Sequence, residues 1–165
     1  HGHKLAGNVS QELKLENDFI TSSGFQKFLA SSVSSWVKLS ENKDIKEFKL
    51  IRSWVVRQFQ NEYNPVHWHG GHISGVGYLK VPSTYGKGFQ EKEQGHNNGQ
   101  IDLIHGSRQF LSQSDFLITP EVGYFYFFPH YLMHTVYPFN STNEERRSVS
   151  FNALIDEKTF NVYAN

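Results

Sequence analysis

Past residue 47 this chain becomes a series of short apolar and aromatic runs, each cut off by proline, glycine or asparagine, and that rhythm leaves few folds open. Leu50–Gln60, Ile73–Val81, Gln100–Ile104, Phe116–Thr119, Gly123–Phe128, Thr135–Tyr137 and Arg146–Ile155 all read as strands. Ahead of them, Phe25, Phe28, Leu29, Val33, Trp36 and Val37 recur at helical spacing behind Thr21-Ser22-Ser23, which predicts one helix over 23–40 with a buried face. Residues 1–20 read as an extended lead-in with a short strand. A helix followed by many short strands argues a mainly β domain: a jelly roll, or double-stranded β-helix of cupin-like form, with helical packing near the N-terminus. The whole of 1–165 is expected to be one domain. Only 38% of residues are hydrophobic but 15% are aromatic, so large rings must carry much of the core. Residues 83–99 are polar, with few apolar anchors, and read as a mobile binding loop. The chain opens at His1 rather than Met, as expected of a longer protein trimmed at the N-terminus.

Charge and composition exclude several functions. Sixteen Lys and Arg balance sixteen Asp and Glu, whereas a nucleic-acid binder needs a basic surface, so nucleic acid is not an expected partner. No apolar run reaches the roughly 18 residues of a membrane span. No export signal is visible, and the cytoplasm is the expected compartment. Cysteine is absent, which removes disulfides and thiolate zinc sites.

The chemistry-bearing stretch is Asn64–His72, with three histidines in six residues. On a strand, alternate side chains share a face, so His67 and His69 point together and Trp68 points away. His134, at the end of a distant aromatic run, supplies a third imidazole. Three such donors occupy one face of a metal and leave the other positions open. Spacing alone keeps a second reading alive, since strand histidines also serve as plain hydrogen-bonding residues. His72 has the opposite parity and reads as a turn residue, with a fourth ligand or a group behind the ligands as the alternatives, and His130 as a surface residue. His96 and His105 fit no pattern. On the last strand Arg146, Ser148, Ser150 and Asn152 share one face, while Arg147, Val149 and Phe151 share the other. A polar face turned into a barrel suits a bound anion, because arginine grips a carboxylate with two parallel hydrogen bonds. The alternative is that Arg146 and Arg147 are exposed charges paired with Glu144 or Glu145, of little energetic weight. Trp54, Tyr124, Tyr126 and Phe128 are expected in the core.

Taken in order, Leu5-Ala6-Gly7-Asn8, His67-Trp68-His69, Ser74-Gly75-Val76-Gly77-Tyr78-Leu79, Phe128–His134 and Glu145–Asn152 resemble the pattern of the Fe(II)/2-oxoglutarate-dependent oxygenases. The likeness is nearest to their small bacterial and phage members and covers most of the chain. It implies an oxygenase of hydroxylase type that uses O2, releases succinate and CO2, and acts on an unknown primary substrate. It implies Fe(II) on His67, His69 and His134. It also implies 2-oxoglutarate as cosubstrate, its distal carboxylate on Arg146 with Ser148 assisting and Tyr78 a further contact. Gln58 and Asn152 are weaker candidates for the pocket wall. One departure stands out: the wider superfamily usually carries a carboxylate where this chain has His69, which leaves the metal site one unit more positive. Asp102 is the acid considered as a substitute, without support from its spacing. The rival readings are a cupin-type three-histidine dioxygenase that needs no 2-oxoglutarate, and a jelly-roll binding or structural module with no enzymatic role.

Overall fold

Period-two alternation decides which side of each strand meets which core, and the structure, a computed structural model describing residues 7–87 and 96–161, follows that rule apart from local shifts of register, among which one interruption turns a strand's faces over. Nine strands form two antiparallel sheets. The larger runs β1 (Gln11–Lys14), β2 (Phe48–Gln58), β9 (Arg146–Ile155), β4 (Ile73–Lys80), β7 (Phe125–Pro129) in spatial order. The smaller runs β3 (Asn64–His67), β8 (Met133–Val136), β5 (Ile101–Ile104), β6 (Asp115–Ile118). The arrangement is the expected double-stranded β-helix.

The outer face of the larger sheet is covered by α2 (Phe25–Glu41). Its Leu29, Val33 and Val37 pack on Ile73, Phe151, Ala153 and Ile155. Between the sheets, Val76, Tyr78 and Phe128 meet Ile101, Ile118 and Val136. Gly75 and Gly77 leave room on β4 for neighbouring rings: a Cβ at Gly75 would stand 2.6 Å from a Phe151 ring carbon, and one at Gly77 would strike the Phe125 ring. The close approach that these glycines signal is by aromatic side chains.

The expected helix over 23–40 is present as α2, and a six-residue α1 (Asn17–Ser22) precedes it in the stretch read as an extended lead-in, so that Thr21-Ser22-Ser23 ends this first helix rather than starting the second. Gly24, at φ +76°, makes the corner. The strands fall close to their expected places, with an added β3 at the start of the histidine stretch.

The interruption lies in β2. Its pairing with β9 shifts register between Leu50 and Arg52, a β-bulge. Before the bulge Phe48 and Leu50 pack on the helix side. After it Arg52, Trp54 and Val56 line the interior cavity. One extra residue thus turns the even-numbered positions from the outer face to the inner one.

Phe151 is fully buried and touches the rings of Phe48, Phe125 and Phe127. Phe151→Ala should cost about 3–5 kcal/mol, read as a lowered urea midpoint, because the strand stays pinned on both sides and the cavity cannot collapse. A loss below ~1 kcal/mol would show that α2 does not depend on this contact.

Candidate metal centre and anion pocket

Two strands of the smaller sheet bring the first two histidines together. His67 ends β3 and pairs directly with His134 on β8. His69 lies beyond the end of β3, so the shared-strand argument for His67 and His69 holds only for the former. His69 is held from elsewhere: its N–H donates to the His130 carbonyl at 3.0 Å, and His130 Nδ1 donates to the His69 carbonyl at 2.9 Å. His130 is therefore not the surface residue expected but a half-buried clamp on the third imidazole. The three rings have centroids 4.3–5.0 Å apart, and their donor atoms all lie within 4.8 Å of one another. Among the described residues this is the only group of three or more histidine or acid side chains so placed.

The second-nitrogen partners prepare these rings for a metal. His67 Nδ1 lies 2.7 Å from the Pro65 carbonyl and His134 Nδ1 lies 2.9 Å from that of Leu132. A carbonyl only accepts, so each Nδ1 carries the proton and each Nε2 keeps its lone pair for a ligand. Burial lowers the pKa of all three. His69 falls to about 3, with His134, His67 and Arg52 adding to the effect of burial, and His134 falls to about 4. The cluster is neutral at pH 7, the form that binds a metal. The donor set fits a divalent transition ion with open positions.

Across the cavity stands Arg146, only 2% exposed. Its Nη1 donates to Gln58 Oε1 at 3.0 Å and its Nη2 to the Tyr78 hydroxyl at 3.3 Å. Its guanidinium lies 4.9 Å from the Tyr78 ring centre. Its Nε has no partner, and among the described residues no carboxylate is in ion-pair reach. The adjacent Glu145 faces the other way and is shared by Arg57, Arg147 and Lys80. The reading that would pair Arg146 with Glu144 or Glu145 therefore fails for Arg146 and holds for Arg147. A buried cation with spare donors and no counter-charge fits a carboxylate ligand.

One cavity of about 270 Å³ joins the three imidazoles to Arg146, Ser148 and Ser150. The polar face read on the last strand is therefore real. Tyr78 and Gln58 stand behind Arg146 rather than on the cavity wall, and Asn152 lies deeper, bonded to Ser74 and, with its amide oxygen turned inward, to Arg52. Trp54 and Phe128 line the cavity, with ring centres 5.6 Å from His69 and 5.0 Å from His134. They serve as walls of the site as well as core, whereas Tyr124 is exposed. His72 is outside the cluster: it stacks on Phe160 at 4.0 Å and bonds Ile155, fastening the end of β9. Asp102 bonds Tyr137 and takes no part in the cluster.

Three functional candidates escaped the sequence reading. His130 is one. Tyr85 is another: its hydroxyl is buried without a partner, burial raises its pKa to about 12, and the charge of Arg146 partly offsets that rise. It belongs to the 83–99 segment, of which 88–95 lie outside the described residues. The third is Glu12 on β1, an acid inside the cavity. Only the Leu13/Leu15 alternation in the lead-in hinted at a strand there.

Comparison with known proteins places this geometry. A family profile described as "Putative 2OG-Fe(II) oxygenase" matches residues 52–152. No curated protein matches the chain in sequence. In structure it is similar to the viral collagen prolyl hydroxylase of Paramecium Bursaria Chlorella virus-1, solved as a 2OG complex, at 16% identity and TM-score 0.61, over 91% of this chain and 80% of that one. It is also similar to a Pseudomonas putida prolyl-4-hydroxylase, at 15% identity and TM-score 0.53, over 88% of this chain and 77% of that one. The chain spans about half the length, 49%, of a Burkholderia pseudomallei oxidoreductase of the 2OG-Fe(II) oxygenase family, which it matches over 78% of its own length at 14% identity and TM-score 0.49. These likenesses concern the fold. The profile covers more than half of the chain and every histidine and arginine of the site, and on that ground the protein belongs to the 2OG-Fe(II) oxygenases.

Proposed function

We propose that this protein is an Fe(II)- and 2-oxoglutarate-dependent hydroxylase, with residues 1–165 forming one oxygenase unit. In this reading His67, His69 and His134 hold the iron, and Arg146 receives the distal carboxylate of 2-oxoglutarate with Ser148 beside it. The observation that carries it is the buried, uncompensated Arg146 in the same cavity as three neutral imidazoles. The loaded centre supplies oxidative chemistry, in which O2 and 2-oxoglutarate yield succinate, CO2 and a hydroxylated substrate.

The protein's own part is placement and charge. Tyr78 and Gln58 fix the guanidinium plane at the cavity wall, so that the side chain is placed before the cosubstrate arrives. Burial keeps Tyr78 a neutral phenol, its pKa raised despite the opposing pull of Arg146. Trp54 and Phe128 shield the inner side of the imidazoles from water. The Pro65 and Leu132 carbonyls hold the protons on Nδ1 of His67 and His134.

An all-imidazole set by itself would also suit a three-histidine dioxygenase without 2-oxoglutarate. Arg146 separates the two readings, since that rival has no use for a buried cation opposite the metal. Anaerobic titration of the Fe(II)-loaded protein with 2-oxoglutarate should develop a visible charge-transfer band. In Arg146→Ala the apparent 2-oxoglutarate affinity should fall by on the order of 10–100-fold, the size of a lost charge-assisted hydrogen-bonded pair. Iron binding without a band would favour the rival, and no iron binding would sink both.

Proton competition gives an independent check. With the imidazole pKa values lowered, to about 3 for His69 and about 4 for His134, metal affinity should stay flat from pH 8 down to about 6 and weaken only toward pH 4. The unfolded chain takes up protons near 6.5, so the metal-free fold should lose stability as pH falls below that value toward 3–4. Calorimetry and thermal unfolding across this range test both. A metal affinity that drops with an apparent pKa near 6.5 would mean that the imidazoles are solvated and not prepared for a metal.

A further inference from the structure

We propose that Glu12 is the residue that selects the primary substrate, and that this substrate carries a protonated amine; the inference rests on the oxygenase reading above. Glu12 stands on β1, the edge strand of the larger sheet, and pairs with Val56. Val56 pairs with Ser148, and Ser148 with Tyr78. This row crosses the inner face, so Glu12 enters the same cavity as the imidazoles and Arg146. The side chain is 5% exposed, and its Oε2 has no hydrogen-bond partner. A buried carboxylate oxygen without a donor is destabilising, and a ligand that brings a donor removes the penalty.

Glu12 is not needed by the machinery already described. Its oxygens lie outside the three-imidazole group, so it does not replace the carboxylate that His69 displaces. It forms no ion pair with Arg52, whose guanidinium lies 5.1 Å from the Trp54 ring centre and bonds Asn152. Burial pushes the Glu12 carboxyl up, and the positive charges of the N-terminal amine and of Arg52 only partly oppose this. A cation placed against it would restore the ionised form.

The charge pattern of the cavity selects the ligand class. Among the described side chains that line it, Glu12 is the single acid, against Arg52 and Arg146. With a metal bound, the described charged groups of the cavity are all positive except this carboxylate. An amine entering the site has one favourable place to rest, and that fixes which end of the substrate faces the imidazoles. Trp68, 67% exposed and also lining the cavity, offers an aromatic face that suits a cation.

Three probes of equal length test this: n-butylammonium, n-butanol and butyrate, titrated against tryptophan fluorescence. Each is run on the metal-free protein and on the protein loaded with Mn(II) and 2-oxoglutarate. Wild type should bind the amine about tenfold or more tightly than the alcohol in both forms, the scale of one charge-assisted hydrogen bond, with butyrate weakest in the loaded form, where 2-oxoglutarate occupies Arg146. Glu12→Gln should remove the preference, and Glu12→Asp, which keeps the charge, should retain part of it. Equal affinity for amine and alcohol in wild type, or an amine affinity within twofold of wild type in Glu12→Gln, overturns the proposal. If Glu12→Gln fails to fold, the wild-type ratio and Glu12→Asp still decide. An amine preference in the metal-free protein together with failure to bind Mn(II) or 2-oxoglutarate would remove the oxygenase reading and leave the Glu12 site standing. Normal loading without any amine preference removes the Glu12 site alone.

Discussion

A guanidinium taken almost wholly out of water is stable only if its surroundings compensate it, and around Arg146 they do so incompletely. Gln58 and Tyr78 supply two neutral acceptors and a ring face, while Nε is left over. The nearest acid in sequence, Glu145, cannot help, because strand alternation turns consecutive side chains to opposite faces. Glu145 is instead held by Arg57 and Arg147. The same strand therefore stores a satisfied anion on one side and an unsatisfied cation on the other. That separation costs folding stability, and it makes the interior receptive to a carboxylate.

The larger sheet is shaped to keep this inner face polar without losing its outer packing. On β9, Phe151, Ala153 and Ile155 go to the helix side, and Arg146, Ser148, Ser150 and Asn152 go inward. β4 does the same with glycines, which admit the Phe151 and Phe125 rings on one face while Ser74, Val76 and Tyr78 occupy the other. β2 needs a bulge to reach this arrangement, since Leu50 and Arg52 would otherwise share a face. Packing on α2 and charge in the cavity are thus two demands on one strand, reconciled by a single extra residue.

Much of this was legible because period two survives in the sequence. The alternation from Arg146 to Asn152 gave the correct faces, and the strand-like runs, with the short strand expected in the lead-in, account for eight of the nine strands among the described residues. His67 and His134 were recognisable as a pair at the ends of such runs, and they prove to be register partners. What was not legible depended on departures from regularity or on distance along the chain. His69 leaves the strand and is fixed by backbone bonds to His130, more than sixty positions on, which no local pattern announces. The bulge at Leu50/Arg52 inverts parity without a proline or glycine to mark it. Glu12 looked like an ordinary charge in a polar lead-in, because its burial comes from pairing with Val56, on a strand that follows two helices. Thr21-Ser22-Ser23 suggested a helix start, yet it ends a short helix that was not expected, and Gly24, with its positive φ, separates that helix from the expected one.

An all-imidazole ligand set has a physical consequence that links these parts. Three neutral donors leave a bound divalent ion with its full charge, where a His-His-carboxylate set would leave one unit less. Arg52 acts on His69 in the same sense, and Arg146 lies across the cavity. The site therefore has an excess of positive charge in a partly desolvated space, where Coulomb interactions are stronger than in water. A doubly charged anion that bridges metal and arginine neutralises most of that excess. A singly charged or neutral ligand at the metal does not. On the proposed reading, a histidine rather than a carboxylate at position 69 would strengthen the electrostatic demand for a dicarboxylate cosubstrate, with Glu12 the one negative side chain among the described residues that line the cavity.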